Sequence, residues 1–233
     1  MPISSLPSKY GIGTLGKGAR DFIDFLEKSG QTYWQVLPIG PTGYGDSPYQ
    51  SFSSNAGNPY FIDLDDLCDE GYLEKEEYVN ENYGTDVNCV DYAQIYNTRF
   101  TVLRKAVERL SAVQTEDYLS FLRDNAYWLN DYALFMAEKD DHKGQAYTTW
   151  EEDIRKHDTK TLENERVRLQ KNVEFYLGLQ YFFFHQWKKM REYGRKHGVY
   201  LIGDVPIYVS PDSSDIWGNP ELFQLDEDMK PTG

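Results

Sequence analysis

Residues 32–61 read TYWQVLPIGPTGYGDSPYQSFSSNAGNPYF. The opening run, residues 32–38, is a short β-prone stretch of Tyr, Trp, Val and Leu closed by Pro38, the composition of a buried strand. The segment after it is not an ordinary connection. Residues 40–61 carry three tyrosines and two phenylalanines among Gly, Pro, Ser, Asp, Asn and Gln, without a single Lys, Arg, Glu or His. Connections in compact domains are usually a few residues long, and long structured loops are disproportionately functional. The stretch therefore predicts a strand that leads into a working loop.

Outward from it, Ala19, Phe22, Ile23 and Leu26 share one face of a helix that Gly30 closes. Residues 61–89 are acidic and weakly periodic, which predicts irregular chain with short helices. From about Thr98 helical periodicity takes over: Phe100, Leu103, Val107 and Leu110 form one stripe, and Leu119, Leu122, Ala126, Leu129, Ala133 and Met136 form another. Residues 140–160 lose periodicity and read as a surface connection. A long helix comes next with the stripe Leu169, Val173, Tyr176, Phe183, Trp187 and Met190, stopped at Gly198. The apolar run VYLIGDVPIYV, residues 199–209, has the pattern of a strand buried on both faces with one carboxylate, Asp204, set into it. Helix, strand, helical block, long helix and strand, in that order, give an α/β fold with parallel strands.

Composition limits the chemistry. At 233 residues and 40% hydrophobic the chain has material for a sizeable core, and a formal charge of −14 makes a nucleic-acid backbone or an anionic membrane a poor partner. No apolar stretch reaches membrane-spanning length, and MPISSLPSKY lacks the basic start and apolar run of a signal peptide, so a cytosolic location is expected. Cys68 and Cys89 are not in a CxxC pattern and are expected to be reduced thiols. GIGTLG, residues 11–16, matches the dinucleotide fingerprint GxGxxG, but no strand precedes it and the next strand ends in Leu37 and Pro38 rather than an acid. The neighbouring near-match to a phosphate-binding loop fails because Gly18 stands where a hydroxyl is needed. Those glycines are read as a tight turn into the first helix. His142, His157, His185 and His197 lack metal-site spacing, and no GxSxG elbow occurs, so neither a metal nor a cofactor is expected.

A neutral, aromatic and polar loop suits a polyhydroxyl ligand: a sugar presents apolar C–H faces to Tyr or Phe and hydroxyls to amides, hydroxyls and carboxylates. Tyr60, Phe61 and Phe52 read as core residues, whereas Tyr44 and Tyr49, set among Gly, Asp, Ser and Pro, read as ligand-facing. Asp204 fits two roles equally on chemistry alone, a site carboxylate or a member of a structural ion pair, because a buried carboxylate needs a strong partner. Trp217 reads as structural.

YGIGTLG (10–16), YWQVLPIGPTGYGDSPYQSFSSNAGNPYFIDLDDL (33–67), WLNDYALF (128–135) and LIGDVPIYV (201–209), in this order, resemble the amylomaltase or disproportionating-enzyme family of 4-α-glucanotransferases, relatives of the α-amylases. The resemblance implies a partial (β/α)₈ barrel in which the two strands are strands two and three, with a mainly helical insertion between them. It implies an organisation into residues 1–62, a barrel segment with the substrate loop; 63–160, the helical insertion; and 161–233, a barrel helix, strand three and its loop. The chain starts without a recognisable first strand and stops where the family continues for about as long again. The resemblance implies transfer of α-1,4-glucan segments between maltooligosaccharides by a retaining double displacement, whose two carboxylates stand about 5–5.5 Å apart. Those carboxylates are expected beyond Gly233. Ser47, Tyr49, Gln50 and Asp204 match positions around the reacting sugar. Tyr44 and Tyr96 match two tyrosines of a second glucan surface, although ordinary packing explains Tyr96 equally well. A non-catalytic α-glucan-binding protein is the alternative from another class. Oligomeric state is not legible.

Overall fold

The computed structural model describes every residue except Tyr44, Val87 and Gly233. Two compact units share the chain: Met1–Ile39, Gly57–Gln114 and Leu179–Val205 make one, and Gly40–Ala56, Thr115–Gly178 and Pro206–Gly233 make the other.

In the first unit α1 (Lys17–Lys28) buries Ala19, Ile23 and Leu26 at helical spacing. It stops at Gly30, whose φ of +69° suits glycine, with the Gln31 amide returning to the Leu26 carbonyl at 2.9 Å. β1 (Tyr33–Gln35) comes next, burying Trp34. After the long loop comes α2 (Leu64–Asp69), capped by Asp63, whose Oδ1 accepts the Asp66 amide at 2.9 Å. α3 (Tyr92–Val113) begins on the Asp91 cap, earlier than its apolar stripe suggests.

In the second unit the stripe 119–136 is broken in two: α4 (Glu116–Asp124) and α5 (Ala126–Asp141) meet at Asn125. The Asn125 side chain donates to the Phe121 carbonyl and accepts from Trp128 Nε1, so it competes with the helical ladder where the bend occurs. α6 (Glu152–Arg155) and α7 (Thr159–Arg168) are the next two helices. α8 (Gln170–Lys196) has its first nine residues in this unit and the rest in the first.

β2 (Tyr200–Ile202) pairs in parallel with β1, Tyr33 beside Tyr200, Trp34 beside Leu201 and Gln35 beside Ile202. α9 (Ser214–Gly218) is the last helix. The described residues thus form a helix-rich α/β chain with a two-stranded parallel sheet.

Two sequence expectations need correction. The run 199–209 is a strand only over Tyr200–Ile202, and it is not buried on both faces: Ile202 is 46% exposed, Val205 80% and Ile207 90%. Among the described residues β2 pairs with β1 alone, and Val205 and Ile207 lie beyond its last paired residue. Residues 140–160 are not a surface connection either. Tyr147 and Trp150 are buried, and with Phe135, Ile154, Leu162, Ile216 and Trp217 they form the core of the second unit. Trp217 is fully buried, its Nε1 donating to the Ile154 carbonyl at 2.9 Å, in keeping with a structural role.

Candidate functional site

The loop begins and ends at one point. Ile39 contributes its carbonyl to the Asn58 amide at 2.8 Å, closing the excursion at its base. Beyond that point α8 fixes the returning chain with two buried glutamines, each making a paired clasp with the main chain. Gln180 accepts from the Gly57 amide at 2.8 Å and donates to the Gly57 carbonyl at 3.0 Å; Gln186 does the same with Asp63 at 2.7 and 3.0 Å. Such pairing satisfies the backbone of a buried segment that has no strand neighbour. Tyr60 and Phe61 are buried there, as their sequence context predicts.

Within the second unit the loop folds on itself. Thr42 and Ser51 form an antiparallel bridge, the Gly43 amide donates to the Gln50 carbonyl at 3.2 Å, and the Gln50 amide donates to the Ser47 carbonyl at 3.1 Å. Ser47 Oγ also accepts the Tyr49 amide at 3.4 Å. This turn brings Ser47, Tyr49 and Gln50 together, with Tyr49 49% exposed. Asp46 sits in the turn with φ +54°; burial pushes its carboxyl up, and the Thr42 hydroxyl pulls it back in part.

The far half of the loop is anchored by residues 212–215. Phe52 packs against Phe135 with ring centroids 6.3 Å apart, and its carbonyl accepts from the Ser214 amide at 2.8 Å and the Ser214 hydroxyl at 3.0 Å. Ser54 donates its amide and hydroxyl to the two oxygens of Asp215 at 2.8 and 2.7 Å. Lys139 of α5 lies 4.9 Å from the centre of the Phe52 ring and donates to Asp212 at 2.6 Å. Lys139, Asp212, Ser214 and Asp215 were not singled out by the sequence. The Ser-rich stretch before α9 signals only the helix cap that Ser213 provides.

The remaining predicted positions lie apart from this turn in the division of the chain. Tyr96, on α3, and Asp204, just after β2, belong to the first unit. Tyr96 is 49% exposed and leans on Phe100 at 5.0 Å, while Asp204 is half-buried. Tyr44 lies outside the described residues. A separate cleft of about 560 Å³, bordered by Lys9, Tyr10, Lys17, Asp21, Phe22 and Phe25, holds none of the predicted site residues.

For a metal, the described residues offer Glu138, Asp141 and His142, whose ligand atoms fall within 4.8 Å of one another. Both nitrogens of His142 already face acceptors, the Glu138 carbonyl and the Glu151 carboxylate, each at 2.8 Å. His185 is held against Glu70 at 3.2 Å rather than grouped with other ligands. No described helix is long and apolar enough to cross a membrane.

Comparison with known proteins decides the family. The family model described as 4-alpha-glucanotransferase matches residues 1–233. The chain belongs to the 4-alpha-glucanotransferase family. It is 46% identical to a 4-alpha-glucanotransferase of Clostridium butyricum over 228 residues, covering 98% of this chain and 47% of that protein. It is 44% identical to the Thermus thermophilus 4-alpha-glucanotransferase, covering 98% of this chain and 46% of that one. Among solved structures it resembles the amylomaltase from Streptococcus agalactiae in complex with acarbose, with a TM-score of 0.94 and 41% identity over 98% of this chain and 47% of that chain. The chain therefore spans about half the length of the curated 4-alpha-glucanotransferases it matches.

Proposed function

We propose that this chain supplies substrate-holding surface to a 4-α-glucanotransferase, with the loop 40–61 gripping an α-1,4-glucan beside the reacting bond. The observation that carries this reading is the Ser47–Tyr49–Gln50 turn: a half-exposed aromatic ring beside a hydroxyl and an amide, on a loop closed at its base and anchored at Phe52 and Ser54. A pyranose stacks on Tyr49, and its hydroxyls bond to Ser47 and Gln50. From the family relationship Asp204 is assigned a sugar-ordering role, and Tyr44 and Tyr96 are each assigned a role in secondary glucan binding. β1 and β2 are strands two and three of a (β/α)₈ barrel, with 1–62 and 161–233 as barrel segments and 63–160 as the helical insertion. The family relationship supports this reading.

The reaction is a retaining transfer. A carboxylate attacks the anomeric carbon, the glycosidic oxygen leaves with a proton from an acid, and a glycosyl-enzyme ester forms. The hydroxyl of an acceptor glucan then gives its proton to the same residue, now a base, and displaces the carboxylate. Both carboxylates come from parts of the whole protein that this chain does not span; the chain's own task is positioning, which lowers the entropic cost of alignment. No cofactor is required. The partners are maltooligosaccharides, and the cytosol is the setting.

The test is Tyr49→Ala in the whole protein, assayed for glucose and longer oligomers released from maltotriose. Loss of one stacking platform, about 0.5–1.5 kcal/mol, should lower kcat/KM roughly twofold to tenfold. Tyr49→Phe should retain activity. Equal activity in wild type and Tyr49→Ala removes the loop from the site, and binding without transfer by the whole protein would favour a non-catalytic glucan-binding protein.

A further inference from the structure

The end of α5 carries a carboxyl group that sugar binding does not use. Glu138 is completely buried, and neither of its side-chain oxygens accepts a hydrogen bond among the described residues. A buried ionised carboxylate without donors is costly, so its surroundings must contain what offsets it.

Those surroundings come from three elements. Asp141 ends α5 and His142 caps it, the latter with Nδ1 3.5 Å from Glu138 Oε2. On α7, Arg168 approaches Glu138 Oε2 only to 3.6 Å, while making closer contacts with Asp141 at 2.9 Å and Glu165 at 2.5 Å. Arg168 thus stands between the two glutamates, and the charge of Glu165 acts on Glu138 to push its carboxyl up. Ahead of α6, Glu151 meets His142 Nε2 at 2.8 Å, and Trp150 stacks on the His142 ring with centroids 5.1 Å apart.

A divalent cation or a proton would each satisfy Glu138. The cation is the poorer fit. His142 Nδ1 and Nε2 both face oxygen acceptors, so both carry hydrogen and the ring is an imidazolium with no lone pair for a metal. The Arg168 guanidinium already stands against both Glu138 and Asp141, so a metal would have to displace one cation and deprotonate another. A proton displaces nothing. Held on a Glu138 oxygen, it leaves that buried carboxyl neutral.

We propose that the buried Glu138 carboxyl holds a proton, and that this neutral carboxyl, with the His142 imidazolium, is a pH-sensitive clamp joining α5, α7 and the connection that carries Trp150. The clamp acts on the unit that holds the loop, because α5 also presents Phe135 and Lys139 to Phe52.

The direction comes from linkage. Burial, then the charge of Glu165, pushes Glu138 up to about 7 from its ordinary 4.5, against the pull of Arg168. Burial pulls His142 down, but its bonds to Glu151 and to the Glu138 carbonyl outweigh burial and leave it above its ordinary 6.5. Both folded values lie above the unfolded ones, so the stabilisation is complete below the unfolded values and is lost as pH rises through the folded ones. Asp141 and Glu151 are held low by Arg168 and His142 respectively, so their contributions stay constant across neutral pH. The unit should therefore loosen as pH rises from about 4.5 through about 7.

The experiment is a carboxyl-carbon NMR titration of the protein with labelled glutamate, paired with thermal unfolding at pH 5.5 and 8. One glutamate should titrate near neutrality and vanish from the spectrum of Glu138→Gln, and Glu165→Gln should move that titration to lower pH. The wild type should lose several degrees of Tm from the lower to the higher pH, whereas Glu138→Gln, permanently neutral, should lose clearly less. If Glu138→Gln does not fold, the wild-type and Glu165→Gln titrations still decide. Absence of any glutamate titrating above pH 5.5 overturns the proposal. So does stabilisation by calcium or manganese at pH 7.5 in the wild type but not in Glu138→Gln, since the site would then hold a metal.

Discussion

Gly57→Ala tests how the loop is held. A methyl group at position 57 would lie 1.9 Å from Phe183 Cδ1 and 2.1 Å from Cε1. Ordinary carbon contacts are about 3.5–4 Å, so something must move by roughly 1.5 Å or more. The Phe183 ring has little freedom to do so: it is fully buried, stacked on Trp187 at 16° and 6.3 Å, and edge-on to Phe184 at 5.2 Å. The main chain must retreat instead, and that stretches the clasp between Gly57 and Gln180. Overpacking costs about 1–3 kcal/mol and a weakened hydrogen bond about 1 kcal/mol, giving roughly 2–4 kcal/mol in all. At about 2–4 °C per kcal/mol for a chain of this size, Tm should fall by roughly 5–15 °C. Thermal and urea unfolding of Gly57→Ala, Phe183→Leu and the double variant measure it. Phe183→Leu removes the clashing ring atoms, so the double variant should show a coupling of at least about 1 kcal/mol. A cost below about 0.5 kcal/mol for Gly57→Ala, or one undiminished when Phe183→Leu is also present, would refute the steric argument.

Trp217→Ala should destabilise the protein by about 3–5 kcal/mol, read by chemical unfolding, because it empties the centre of the second unit's aromatic core. Tyr49→Ala, on an exposed turn, should leave stability within about 0.5 kcal/mol, so an equal loss in the two variants would contradict the division between core and site. The chain made by itself should produce neither glucose nor longer oligomers from maltotriose, since the reacting carboxylates are assigned to segments outside it; turnover by these residues alone would contradict that assignment.

Helices whose apolar spacing and stop signals agree were legible. α1 and α8 run close to where Ala19, Ile23 and Leu26, and then Leu169 to Met190, place them. Burial was harder to read, because it depends on neighbours that composition does not reveal. Val205 and Ile207 look like core and are exposed; Tyr147 and Trp150 lie in an aperiodic stretch and are buried. The break at Asn125 has no Pro or Gly to announce it, only a side chain that bonds to its own helix. In the site, the sequence shows the loop's neutral, aromatic character but not what holds it. The clasps by Gln180 and Gln186 and the Lys139–Asp212 pair join residues far apart in the chain, and no local pattern records such pairings. Glu138 was invisible for a related reason: a glutamate in a helix reads as solvated until the Glu165 and His142 side chains are placed around it.

The most direct measurement is a crystal structure of the whole protein with a bound maltooligosaccharide, asking where the sugar lies relative to the 47–50 turn. The account predicts a glucose ring within about 4–4.5 Å of the Tyr49 ring, with its hydroxyls bonded to Ser47 or Gln50. A glucan bound at the reacting carboxylates with the Tyr49 ring turned to water or packed on protein would contradict it.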